Sequence, residues 1–121
     1  MVTKLSSKVT SVGAESGLMR AENMLVLFHE DVPNELKEFA IVHDNKEIKK
    51  DVQAGDRFII NDETFEILFV GGKANETLKE MGHATFQFNG ESNSDLPGTI
   101  CLEAKEIPEI EESHSIQIIG E

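Results

Sequence analysis

Tryptophan and tyrosine are missing from this chain, and cysteine occurs once. The large rings available to a core are therefore the seven phenylalanines, which bring no polar atom that would need a buried partner. A lone cysteine, Cys101, excludes an intramolecular disulfide and fits a reducing compartment. It lies in the apolar stretch Thr99-Ile100-Cys101-Leu102, where it reads as a small buried hydrophobe rather than a nucleophile. No window approaches the roughly 18 apolar residues of a membrane span, and the N-terminal Met1-Val2-Thr3-Lys4-Leu5-Ser6-Ser7 has no apolar signal core. These absences predict a cytoplasmic protein with no direct membrane insertion. Basic residues are also scarce, 11 against 23 acidic, for a formal net charge of −12. A phosphate-binding surface needs a basic footprint, so nucleic acid is excluded as a partner. The charge suits solubility, or a basic protein partner that it would steer.

Most recognisable chemistry is missing as well. The four histidines, His29, His43, His83 and His114, show no ligand-pair spacing, so no metal site is expected. Gly71-Gly72-Lys73 lacks the upstream glycine and the following Ser or Thr of a phosphate-binding loop, and reads as a glycine turn after a strand. There is no nucleophile elbow and no dinucleotide fingerprint. Paired carboxylates carry no information in a chain with 23 acids.

What is present is a series of short strand signals. Met24 to Phe28 is an apolar run. Arg57 to Ile60 and Thr64 to Val70 flank the turn signal Asn61-Asp62-Glu63. His83 to Phe88 alternates, with Ala84, Phe86 and Phe88 on one face and His83, Thr85 and Gln87 on the other. Thr99 to Glu103 and Ser115 to Ile119 add two more strands. Helical signal is confined to Pro33–Phe39 and to Asn75–Met81, the second with Gly82 as its stop. Glu103 to Glu112 reads as a solvated connection to the last strand. The 121 residues suffice for one compact domain. The pattern predicts an all-β fold: a single-domain barrel or sandwich of short, mainly antiparallel strands with one or two short helices.

Two histidines stand at strand boundaries. His43 ends the run Phe39-Ala40-Ile41-Val42 and is followed by Asp44-Asn45-Lys46-Glu47; His83 opens the alternating strand. Imidazole changes protonation near neutral pH and can act as a nucleophile without a dedicated activating base. Apolar residues behind His43 and polar ones ahead predict a rigid, partly exposed imidazole. His29, beside Glu30-Asp31, reads as a partly exposed strand end, and His114 as a solvated loop residue. Taken singly, histidines are more often structural or surface residues than catalytic ones.

At these residues the chain resembles the IIA component of the glucitol/sorbitol-specific phosphoenolpyruvate-dependent sugar phosphotransferase system. The resemblance rests on the order and spacing of Ile41-Val42-His43, Ala54-Gly55, Leu78-Lys79-Glu80-Met81-Gly82-His83, Phe88-Asn89-Gly90 and Leu96-Pro97-Gly98-Thr99. It implies a small cytoplasmic, mostly β phosphocarrier spanning residues 1–121, phosphorylated on a histidine that falls on His43. It implies the HPr phosphocarrier as donor and the IIB component of the membrane permease as acceptor. Asp44-Asn45 after the histidine departs from a more His-rich version of the family.

Such a carrier needs a neutral imidazole whose second nitrogen is held by a hydrogen bond, and donors for the phosphoryl oxygens. His83 is the expected supporting donor, with Thr85, Lys46 or backbone N–H groups as others. No cofactor or metal is required, because the donor is already an activated phosphohistidine. Two other readings stay open on the residues alone: a non-catalytic β-barrel binding or regulatory domain, and a small-molecule binding protein with a polar barrel mouth.

Overall fold

A computed structural model describes all of residues 1–121. The strands are β1 (Val2–Val12), β2 (Met24–His29), β3 (Ile41–His43), β4 (Arg57–Ile60), β5 (Glu63–Val70), β6 (Ala84–Gln87), β7 (Thr99–Leu102) and β8 (Ser115–Gly120). The helices are α1 (Ser16–Ala21) and α2 (Ala74–Met81). The strands close into a barrel in the order β1-β3-β2-β6-β7-β5-β4-β8, with β8 pairing back to β1. Two pairs, β2–β3 and β6–β7, are parallel and the rest are antiparallel. The all-β barrel expectation is met.

Alternation builds the core. Leu25 and Leu27, Phe58 and Ile60, Phe65 and Ile67, Ala84 and Phe86, and Ile116 and Ile118 turn inward from their strands and are buried in one cluster. Phe58 stacks on Phe86 at 4.6 Å between ring centroids, and Phe65 meets Phe88 edge-on at 4.8 Å. Such pairs add about 0.5–1.5 kcal/mol beyond the area they bury. Helix α2 contributes Ala74 and Leu78 to the same cluster. It ends at Gly82 in the left-handed conformation, φ +59°, with its amide donating to the carbonyl of Leu78.

Several expectations need correction. The segment Pro33–Phe39 forms only one 3-10 turn, Asn34–Leu36, because no residue of that turn is buried to stabilise a longer helix. The connection Glu103 to Glu112 is not merely solvated: Ile107 and Ile110 bury against the core. The longest strand, β1, carries no strand signal in the sequence. Its register shifts between Thr3 and Leu5 and again between Val9 and Ser11, so its apolar residues break the period of two. The first shift turns Lys4 inward, where its ammonium pairs with Asp56 Oδ2 at 2.6 Å and donates to the Asp51 carbonyl at 2.9 Å.

Candidate functional site

His43 ends β3, and two neighbouring strands fix its surroundings. In the parallel pair it is in register with His29, the last residue of β2; on the other side it faces Val9 of β1. Ser7 points inward from β1, and Gly82 lies between α2 and β6. The sequence predicts a partly exposed imidazole, but the structure overturns this: His43 has 0% relative exposure. The polar residues after it do reach solvent, yet β1 and the Gly82 backbone close over the ring itself.

Both ring nitrogens are engaged. Nε2 lies 2.8 Å from the carbonyl oxygen of Gly82, and Nδ1 lies 2.8 Å from Ser7 Oγ. A carbonyl can only accept, so the neutral ring carries its proton on Nε2 and keeps the lone pair on Nδ1. The Ser7 hydroxyl then donates to Nδ1 while accepting the Asn45 amide N–H at 3.0 Å. It has a second acceptor within reach, Asp44 Oδ1 at 3.1 Å. Burial holds the pKa of His43 below the ordinary imidazole value, and the neighbouring His29 adds to the effect; the Gly82 carbonyl and Asp44 oppose it. The resting group is therefore a neutral, oriented imidazole.

Asp44 and Asn45 bind β1 to the strand end. Asp44 Oδ1 accepts the Lys8 amide at 3.0 Å, and Asn45 Nδ2 donates to the Ser6 carbonyl at 2.8 Å. Across the gap, Lys46 Nζ donates to the Glu80 carbonyl at the end of α2, at 3.3 Å. That ammonium is thus engaged elsewhere and not free beside the imidazole.

His83 is not brought to the ring of His43. Alternation along β2 sends Leu25, Leu27 and His29 to the inner side and Phe28 to the outer. The His83 ring stacks on Phe28 at 4.1 Å and its Nδ1 donates to the Leu27 carbonyl at 3.1 Å. It therefore lies on the opposite face of β2 from His43, and Thr85 shares that outer side with it. The alternation of β6 gives its polar face correctly, but His43 does not lie on that face.

The imidazole that does accompany His43 is His29, with ring centroids 6.2 Å apart and planes at 87°. Sequence reasoning misses it, along with Ser7 and Gly82. One signal is available: Leu27-Phe28-His29-Glu30 and Ile41-Val42-His43-Asp44 are the same apolar-apolar-His-acid pattern, and parallel pairing aligns them in register. No comparable signal marks Ser7, because the register shifts of β1 hide which of its residues face inward. His114 is half-buried, and its Nδ1 accepts the Glu111 amide at 3.2 Å, away from the site. No cluster of three or more His, Cys, Asp or Glu side chains is arranged to hold a metal ion.

Comparison with known proteins bears on this arrangement. Residues 4–117 match the family described as the PTS system glucitol/sorbitol-specific IIA component. Two relatives, from Shigella flexneri and Escherichia coli, are described as the PTS system glucitol/sorbitol-specific EIIA component. Each is 29% identical over 100 residues, which span 83% of this chain and 81% of the relative. A crystal structure described as a PTS system IIA component from Enterococcus faecalis superposes with a TM-score of 0.81. It covers 93% of this chain and 97% of that one, at 25% identity.

Proposed function

We infer, given that this chain belongs to the glucitol/sorbitol-specific IIA family of the sugar phosphotransferase system, that His43 is the residue that carries its phosphoryl group. The chain is a phosphotransferase component with a phosphocarrier role, and the reading as a non-catalytic binding barrel is not favoured. Beyond that, the proposal is that residues 1–121 form one carrier unit working in the cytoplasm. It takes the group from phospho-HPr and hands it to the IIB component of a glucitol/sorbitol permease.

The observation that carries the assignment to His43 is its hydrogen-bonded frame. A carrier imidazole must be neutral to attack, and burial keeps this one neutral. It must also be aimed, and two 2.8 Å contacts fix the ring. The lone pair on Nδ1 attacks phosphorus; the N–P bond of the donor phosphohistidine breaks, and the donor imidazole leaves with the electron pair. The proton on Nε2 stays on its hydrogen bond to Gly82, so no base is needed. Nδ1 must first lose the Ser7 hydroxyl, and Asp44 Oδ1 stands ready to receive it. Because the ring has no exposed surface, docking of the donor has to displace part of its cover.

Incubation with phosphoenolpyruvate, Enzyme I and HPr tests this. The expected product carries one acid-labile, base-stable phosphoryl group that peptide mapping assigns to His43, and His43→Gln takes up none. Full labelling of that variant would move the site elsewhere.

A further inference from the structure

We propose that the Ser7 hydroxyl and the Asn45 main-chain amide bind the phosphoryl oxygens of the group on His43, Ser7 Oγ keeping at rest the place that one of those oxygens takes. This rests on the assignment of the group to His43, at Nδ1.

The position of one atom carries the argument. Ser7 Oγ lies 2.8 Å from Nδ1, the nitrogen whose lone pair attacks. A phosphoryl oxygen stands two bonds beyond the nitrogen that carries it, close to that hydrogen-bond separation. The Asn45 amide N–H donates to the same Oγ at 3.0 Å. A group on Nδ1 therefore arrives in the space that Oγ fills and that this amide points into. The serine side chain has to turn aside, and the amide loses one oxygen and meets another. A backbone donor already aimed where charge arrives needs no reorganisation of its own.

The frame around the pair is stiff. Ser7 is 8% exposed, and its backbone pairs with Ile116 of β8. Asn45 is tied from both sides: its Nδ2 donates to the Ser6 carbonyl at 2.8 Å, and its Oδ1 accepts the Glu47 amide at 3.0 Å. Rotation of the serine about its Cα–Cβ bond is the movement that clears Nδ1. Donors expected from the sequence are engaged elsewhere, Lys46 on the Glu80 carbonyl and His83 on the Leu27 carbonyl.

The chemistry adds no covalent step. The N–P bond forms on Nδ1, and Ser7 keeps its proton. The hydroxyl passes to Asp44 Oδ1 while Nδ1 attacks, and to a phosphoryl oxygen once the group has landed. At rest it serves a neutral acceptor and afterwards a charged one, and the second bond is the stronger.

The transfer equilibrium between phospho-HPr and this chain tests the pair, because the sign of the change separates two roles. In Ser7→Ala, loss of a donor to the phosphoryl group should shift the equilibrium about five- to tenfold toward phospho-HPr. A serine that only steadied the resting ring would, when lost, shift it toward the phosphorylated chain; that result, or no shift, overturns the proposal. The comparison is repeated with Asp44→Asn in both proteins. Persistence of the Ser7→Ala shift assigns the hydroxyl to the phosphoryl group, whereas its disappearance assigns the hydroxyl to Asp44 and overturns the proposal. Should Ser7→Ala fail to fold, the wild-type protein decides: its Asn45 amide proton should move downfield on phosphorylation, as for a charged acceptor, and an unmoved or upfield resonance overturns the proposal. Peptide mapping and imidazole nitrogen-15 shifts of the phosphorylated wild type separate the failures. A label anywhere but His43 Nδ1 defeats the underlying assignment, whereas a label there with an unshifted equilibrium defeats only the role of Ser7 and Asn45.

Discussion

Gly82 meets His43 in two ways: its carbonyl accepts the Nε2 proton at 2.8 Å, and a side-chain carbon at its position would stand 2.8 Å from that same nitrogen. The added carbon would also lie 2.9 Å from Cβ of His29. Gly82→Ala is therefore expected to do two kinds of damage. A left-handed backbone at φ +59° costs about 1–2 kcal/mol for an alanine, and the methyl group pushes against the His43 imidazole and against Cβ and the backbone nitrogen of His29. Gly90 is the control, with φ +71° and its nearest neighbour at 3.4 Å. Both variants should melt at lower temperature. Only Gly82→Ala should also slow phosphorylation by phospho-HPr, measured at a temperature where both are folded.

Stability should depend on pH through His43. Its folded pKa lies below the ordinary value of 6.5 because the ring is desolvated. In the window between the two values the unfolded chain binds a proton that the native chain does not. The contribution is thus fully present above pH 6.5 and is lost as pH falls toward the lowered folded value. Melting temperatures of the wild type and His43→Gln, recorded from neutral to mildly acidic pH, should converge in that window. A constant gap would mean that the ring titrates normally.

The resting tautomer can be observed directly. With Nε2 facing a carbonyl and Nδ1 facing a hydroxyl, imidazole nitrogen-15 shifts at neutral pH should show His43 protonated on Nε2. A ring protonated on Nδ1 would contradict the bond to Gly82 and with it the proton-free transfer step.

The buried pair of Lys4 and Asp56 offers a test away from the site. Lys4 has 0% relative exposure and its ammonium lies 2.6 Å from Asp56 Oδ2, which also accepts the Gln53 amide. Removing one partner leaves a charge without compensation, so Lys4→Met should lose about 3–5 kcal/mol in chemical denaturation. Lys4→Met combined with Asp56→Asn should cost less than the sum of the two single changes.

The sequence discloses strands wherever one face alternates cleanly. β4, β5 and β8 are legible because Phe58 and Ile60, Phe65 and Ile67, and Ile116 and Ile118 recur at every second position. β1 is not, since its two register shifts put Lys4 inside and scatter its valines. The place of His43 after an apolar run singles it out, but says nothing of its depth. Local sequence reveals the residues on either side of a strand end, not the distant strand that covers it. Ser7 and Gly82 reach His43 from 36 and 39 residues away in the chain. His83 is misplaced by the same limit: its own strand assigns its face, but only the parallel pairing of β2 with β3 assigns the face of His43.

The closure of the sheet bears on how such a protein meets others. Each strand has a hydrogen-bonded neighbour on both sides, so no row of unpaired amides and carbonyls faces outward. A visitor cannot lengthen this sheet, and is left with side chains and loops to grip. Ladders of main-chain hydrogen bonds make tenacious complexes, whereas a courier calling on two counterparts in succession must let go of the first before serving the second. A seamless wall favours brief encounters, held by side chains and loops rather than by main-chain ladders.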